Sequence, residues 1–209
     1  MSGEALGISY LAPTGSSGHF SKIMSAISGE HFFVTPSAYL AAEELSEGKN
    51  EYVDGVVFAR PGGTVRHSEI SGNISYGLNA RLRRTNFRSC GCDFRVHLTY
   101  EFHERFYYPD ASVVQLPIDG HALFVENPTV IFEVLSPSTE RFDNEEKKNA
   151  YRRCESLQAY VLVHSERVEV TIYTRRADGW DATIYNETTD TLPLPCIECE
   201  LLLSEIYEE

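Results

Sequence analysis

The run PTVIFEVLS, residues 128–136, decides the fold. It is almost wholly apolar and β-branched, as a central strand buried on both faces must be. One residue interrupts it. Glu133 shares its strand face with Ile131 and Leu135, both apolar. Just upstream, YYPDASVV, residues 107–114, opens a second apolar strand. There Asp110 follows Pro109, a proline that biases Tyr108 toward extended geometry. An unpaired carboxylate is costly to bury, so each acid requires a partner. A divalent cation is one candidate, and hard oxygen ligands suit Mg²⁺. An arginine in a buried salt bridge is the other.

Working outward, Thr35-Pro36 reads as an N-cap with proline at the first helical position, opening a helix through Tyr39, Leu40 and Leu45 that stops near Gly48. EYVDGVVFA, residues 51–59, places two short apolar runs about Asp54-Gly55, a hairpin signal. Pro61, Gly62 and Gly63 form a loop. Ile70, Ile74, Leu78 and Leu82 recur every fourth residue and mark one face of a long helix. CDFRVHLTY, residues 92–100, alternates like a strand. Asp143 to Glu155 reads as a helix, with Asp143 and Glu146 in capping-box spacing. Strands follow at Tyr160–His164, Val168–Thr174 and Trp180–Tyr185, with an Asp178-Gly179 turn and a short final helix near Ser204. Residues 1–29 are rich in Ser and Gly without sustained periodicity and read as a flexible N-terminal extension to a single domain over 30–209.

A chain of 209 residues suits one domain with a substantial core. No stretch reaches the ~18 consecutive apolar residues of a membrane span, and the first residues carry no signal-peptide pattern, so a cytoplasmic location is expected. The five cysteines, Cys90, Cys92, Cys154, Cys196 and Cys199, do not form a disulfide framework by number or context. They read as partly buried thiols, with four zinc ligands from the C-x-C and C-x-x-C pairs as the alternative. The net charge of −13 is unevenly spread. Between Arg60 and Arg105 stand eight arginines against four acids, whereas from Trp180 onward there are eight acids and no Lys or Arg. Such a basic segment either attracts phosphates or is a solvated helix face.

Lys147 follows Asp143 by four positions, so it can form an i,i+4 helix pair. Alternatively its ammonium points toward the carboxylates and offsets charge on a reacting phosphate. At this point the motifs match a family. YYPDASVV, VIFEVLSPST and FDNEEKKNAYRR, with EYVDGVVF, the Pro-Gly-Gly loop and RHSEISGNI before them in the same order, resemble the Uma-type endonucleases, a branch of the PD-(D/E)XK restriction-endonuclease-like superfamily. The resemblance covers residues 35–207 and implies an α/β domain, a mixed central sheet flanked by helices with a hairpin carrying Asp110 and Glu133 at its centre. It implies Asp110, Glu133 and Glu51 as metal ligands, Glu51 being an outer one. The superfamily's lysine two residues after the acid is absent, since Leu135 stands there. The resemblance supplies it from the next helix as Lys147, with Lys148 adjacent.

The function so implied is Mg²⁺-dependent hydrolysis of DNA phosphodiesters, with Mn²⁺ as substitute and a homodimer as the working form. The alternative is a catalytically silent nuclease fold that binds nucleic acid or a protein partner. His67 matches the family's histidine at the start of the long helix and is either a surface residue or a group near phosphate. Arg66, His67, Arg81 and Arg95 are the expected nucleic-acid contacts, Arg95 having Asp93 as an alternative partner. The acidic C-terminal segment is expected to lie away from them.

Overall fold

The computed structural model describes residues 33–137 and 139–208. The expected extension, residues 1–29, lies outside them. The chain begins with helix α1 (Pro36–Glu43), capped by the Thr35 hydroxyl, which accepts from the Ala38 amide. Strands β1 (Asn50–Val53) and β2 (Val56–Ala59) form the expected hairpin, with Asp54 and Gly55 both at positive φ as its turn demands. Helix α2 (Val65–Leu82) precedes β3 (Phe87–Gly91), β4 (Arg95–Tyr100), β5 (His103–Tyr107), β6 (Ala111–Gln115), β7 (Phe124–Val125) and β8 (Pro128–Leu135). Helix α3 (Glu140–Phe142) runs through a π turn (Asp143–Lys147) into α4 (Lys148–Arg153). Strands β9 (Ala159–His164), β10 (Val170–Arg176), β11 (Gly179–Tyr185), β12 (Thr191–Leu194) and β13 (Cys199–Leu202) lead to α5 (Leu203–Ile206).

The central sheet has six strands in the order β11-β10-β9-β8-β6-β3. It is mixed, because β8 and β9 run parallel while the other pairs are antiparallel. All eight residues of β8 are buried, as its apolar run requires. Its alternation sorts them between two cores. Val130, Phe132 and Val134 pack with Ile70, Ile74, Leu78 and Leu82 of α2 on one face. Ile131 and Leu135 pack with Ala150, Tyr151 and Tyr160 on the other. Glu133 therefore points into the second core. A five-stranded sheet, β2-β1-β5-β4-β7, lies alongside and carries the early hairpin.

Several local expectations are corrected. Helix α1 ends at Glu43, and Leu45 is exposed. The Glu43 carboxylate accepts from both the backbone and the side-chain amide of Asn50, at 2.8 Å each, which draws the chain directly into β1. Strand β3 escaped the sequence pattern because it is a sheet edge, half exposed and mostly polar. The alternating segment becomes strand only from Arg95, after a turn closed by the Phe94 amide on the Gly91 carbonyl. Asp143 is not a helix cap: the helix begins at Glu140, and Asp143 sits inside the π turn with its side chain buried. Strands β6 and β8 are antiparallel neighbours but no tight hairpin, since the chain between them detours through β7 in the other sheet.

The acidic C-terminus does not avoid α2. Arg81 grips Glu205 with contacts of 2.7 and 2.9 Å, and Asn73 donates to the carbonyls of Ile206 and Glu208. The physical reason is the apolar stripe of Leu203, Ile206 and Tyr207, which joins the α2 core and carries the flanking acids with it. All five cysteines are free, and Cys196 and Cys199 pack against that core. Among the described residues, no helix is long and apolar enough to cross a membrane.

Candidate active site

Two strands of opposite direction bring the decisive acids together. Ala111 pairs with Phe132, and the Asp110 amide donates to the Phe132 carbonyl at 3.0 Å. Extending that register by one residue sets Asp110 opposite Glu133. The Asp110 carboxylate is fully engaged. Its Oδ2 accepts from the Val134 amide at 2.6 Å and lies 3.4 Å from His67 Nε2, and its Oδ1 accepts from the Arg60 guanidinium at 2.7 Å. Arg60 also donates to the Tyr108 carbonyl. Both basic residues are placed by the loop between β2 and α2. Thr64 caps α2, accepting from the His67 amide at 3.2 Å, and so fixes the imidazole on the first turn. Gly63 makes room for it, because a Cβ there would stand 2.7 Å from His67 Nδ1.

Lys147 organises the remaining acids. Its ammonium lies 2.9 Å from Glu51 Oε1, 3.1 Å from Glu133 Oε1 and 3.3 Å from Asp143 Oδ1. Both sequence readings of this lysine hold at once, since the i,i+4 partner Asp143 is part of the same cluster. Glu51 arrives from β1 of the second sheet and is held by the Tyr108 amide at 3.0 Å. The Tyr151 hydroxyl also faces Glu133 Oε1, at 3.5 Å. The π turn turns both Asp143 and Lys147 inward, and its Asp143 carbonyl accepts from Tyr160 at 3.0 Å. Such turns recur at functional sites.

The electrostatics are lopsided. Four carboxyl groups (Glu51, Asp110, Glu133, Asp143) meet two permanent cations (Arg60, Lys147), so with all four ionised the acids would exceed the cations by two, or by one with His67 protonated. Burial pushes the Asp110 carboxyl up, but the His67 hydrogen bond and the Arg60 guanidinium hold it below the usual range. Glu133 has no such surplus of donors, and burial raises it well above an ordinary glutamate. Burial likewise raises Asp143. Desolvation would lower Lys147, yet Glu133, Glu51 and Asp143 together keep it firmly protonated. The hydrogen bond to Asp110 raises His67.

Oxygen donors in negative excess are the donor set a hard divalent ion takes. Even so, no group of three or more His, Cys, Asp or Glu side chains among the described residues is already arranged to hold one. The reason is visible in the contacts: Lys147 stands between Glu51, Glu133 and Asp143, while Arg60 and His67 cover Asp110.

Of the residues predicted from sequence, Asp110, Glu133, Glu51, Lys147 and His67 converge. Arg66, Arg81 and Arg95 do not. Arg66 donates to the Tyr207 carbonyl at 3.1 Å, and Arg81 is bound to Glu205. Arg95 is buried over the Tyr108 ring and donates to the Leu123 carbonyl, whereas Asp93 pairs with Lys49. Sequence reasoning missed Arg60, and gave Asp143 only as a helix cap and as the i,i+4 partner of Lys147. Arg60 is one of eight arginines in its segment, and nothing local marks it as the partner of an acid 50 positions away. Asp143 had a visible signal in its spacing to Lys147, but the capping pattern obscured it.

The fold is that of a restriction-endonuclease-like protein. The sequence matches the Uma2 family, described as "Putative restriction endonuclease", over residues 36–204, and the chain belongs to that family. It is 32% identical over 175 residues to uncharacterized protein slr1290 of Synechocystis sp., covering 83% of this chain and 91% of that one. A second Synechocystis protein, sll1609, also uncharacterized, is 29% identical over 148 residues, covering 69% of this chain and 82% of that protein. The fold is similar to the crystal structure of "a putative nuclease belonging to DUF820" from Anabaena variabilis. The TM-score is 0.67 at 20% identity, covering 83% of this chain and 97% of the other.

Proposed function

We propose that the protein is a metal-dependent endonuclease that hydrolyses DNA phosphodiester bonds at the cluster around Lys147. One observation carries this reading: four buried carboxyl groups, two of them opposed on neighbouring strands, converge from both sheets on Arg60 and Lys147, which can balance only two of them when ionised. A purely structural network would be expected to balance, because uncompensated buried charge is destabilising. Asp110, Glu133 and Glu51 would hold Mg²⁺, or Mn²⁺ in its place. When bound, such an ion supplies Lewis acidity and lowers the pKa of water. Lys147 carries a positive charge that three carboxylates keep in place, suited to offset charge developing on phosphate oxygens. His67 stands beside Asp110, its Nε2 3.4 Å from Oδ2, within reach of a phosphate bound there.

A plasmid-nicking assay with Mg²⁺ or Mn²⁺ tests the proposal. Conversion of supercoiled to open-circular DNA is expected, with none from Asp110→Ala. Lys147→Ala is expected to keep metal binding and lose cleavage. The second reading, a silent nuclease fold that binds nucleic acid or a protein, draws on the way Lys147, Arg60 and His67 already occupy the carboxylates. It gains if neither metal yields nicking and neither raises the melting temperature.

A further inference from the structure

At the opposite end of α2 from His67, the surface carries a groove of about 560 Å³ lined by Arg83, Arg84 and Arg88 together with Asn79, Thr85 and Ser89. No carboxylate lines it. All three arginines are exposed. Among the described residues, they are the exposed arginines for which no ion pair, carbonyl or aromatic ring is a partner; Arg141, Arg153, Arg167 and Arg176 each have one. In a chain of net charge −13, three neighbouring exposed guanidiniums without a carboxylate beside them make a local patch of positive potential, which attracts a polyanion.

A second observation points the same way. Arg84 adopts φ +67°, the left-handed conformation just past the end of α2. Glycine is the usual residue there, since any Cβ is penalised. An arginine therefore stands where the backbone favours glycine.

We propose that this groove binds the phosphodiester backbone of nucleic acid, as a contact separate from the acid cluster. Arginine forks match phosphate oxygens, and the Asn79 amide and Ser89 hydroxyl beside them can supply neutral donors. Helix α2, 18 residues long, separates the groove from His67 by roughly 25 Å, about seven base pairs of duplex. The proposal rests on the nuclease reading only in naming DNA as the polyanion.

The test is fluorescence anisotropy of a labelled DNA duplex with the full chain, in EDTA, across a range of NaCl. Arg83→Gln/Arg84→Gly/Arg88→Gln is expected to bind at least tenfold more weakly. Its log–log salt slope should be shallower by roughly 2.7, at about 0.9 per phosphate contact. Arg84→Gly alone should bind more weakly while melting no lower than the parent. Unchanged affinity and slope in the triple variant would overturn the groove, as would displacement of DNA by millimolar inorganic phosphate, the mark of a small-anion site. Loss of thermal stability in Arg84→Gly with unchanged binding would overturn it too. Nicking reports separately: binding through the groove without cleavage leaves this proposal standing and removes the nuclease reading.

Discussion

Lys147 reaches from a π turn to Glu133 on the central strand, its ammonium 3.1 Å from Oε1, and both side chains are almost wholly withdrawn from solvent. The pair is not self-contained. Glu51 and Asp143 compete for the same ammonium, so the attraction that holds Lys147 in place is shared among three acids. Removing the cation and removing one of the acids should therefore have opposite effects on stability.

Lys147→Met keeps the stem and deletes the charge. It leaves three buried carboxylates facing one another, and breaking a buried pair in this way costs about 3–5 kcal/mol. Urea denaturation at neutral pH should show a loss of that size. It should shrink as pH falls, because Glu133 and Asp143, both raised by burial, take up protons and neutralise themselves. A pH-independent loss would contradict the charge account.

Glu133→Gln removes an acid whose charged form burial already disfavours. The metal-free protein should become more stable, with each kcal/mol raising the melting temperature by about 2–4 °C for a chain of this size. Nicking and any Mg²⁺-induced thermal shift should disappear together. A lower melting temperature without metal would show that Lys147 depends on Glu133 more than on Glu51 and Asp143.

His67 makes stability depend on pH with a definite sign. Its folded pKa is raised above the ordinary 6.5, chiefly by the Asp110 hydrogen bond. Its contribution is therefore fully present below 6.5 and lost as pH rises through the folded value. The stability difference between the parent and His67→Asn should be largest in mild acid and fall away in alkali. Asp110, whose pKa is lowered, works in the other direction: its contribution is present above 3.8 and lost as pH falls through the folded value. A difference that grows with pH would mean His67 is not paired with Asp110.

Gly63→Ala should disturb the site while sparing the core. The new methyl would stand 2.7 Å from His67 Nδ1, so the imidazole must move off Asp110. We expect cleavage to fall, and the alkaline loss of stability attributed to His67 to flatten. Circular dichroism should remain that of the parent. Retention of the parent pH profile would show that the ring can yield without losing its partner.

What the sequence determined by itself was local or periodic. The buried strand at 128–135, the Asp54-Gly55 turn and the α2 stripe are each legible, because neighbouring residues impose them through side-chain alternation, positive φ or a fourfold repeat. Glu133 and Asp110 stood out for the same reason, as charges where the local pattern calls for apolar side chains. Edge strand β3 did not, since an exposed edge imposes no such pattern. Tertiary structure alone decided which charges meet. Arg60 finds Asp110 across 50 residues, Glu51 comes to Lys147 from another sheet, and Arg81 is taken by Glu205 across 124 residues. An ion pair has no periodicity and no preferred separation along the chain. Its partners are set by where the packed apolar faces leave each charged side chain.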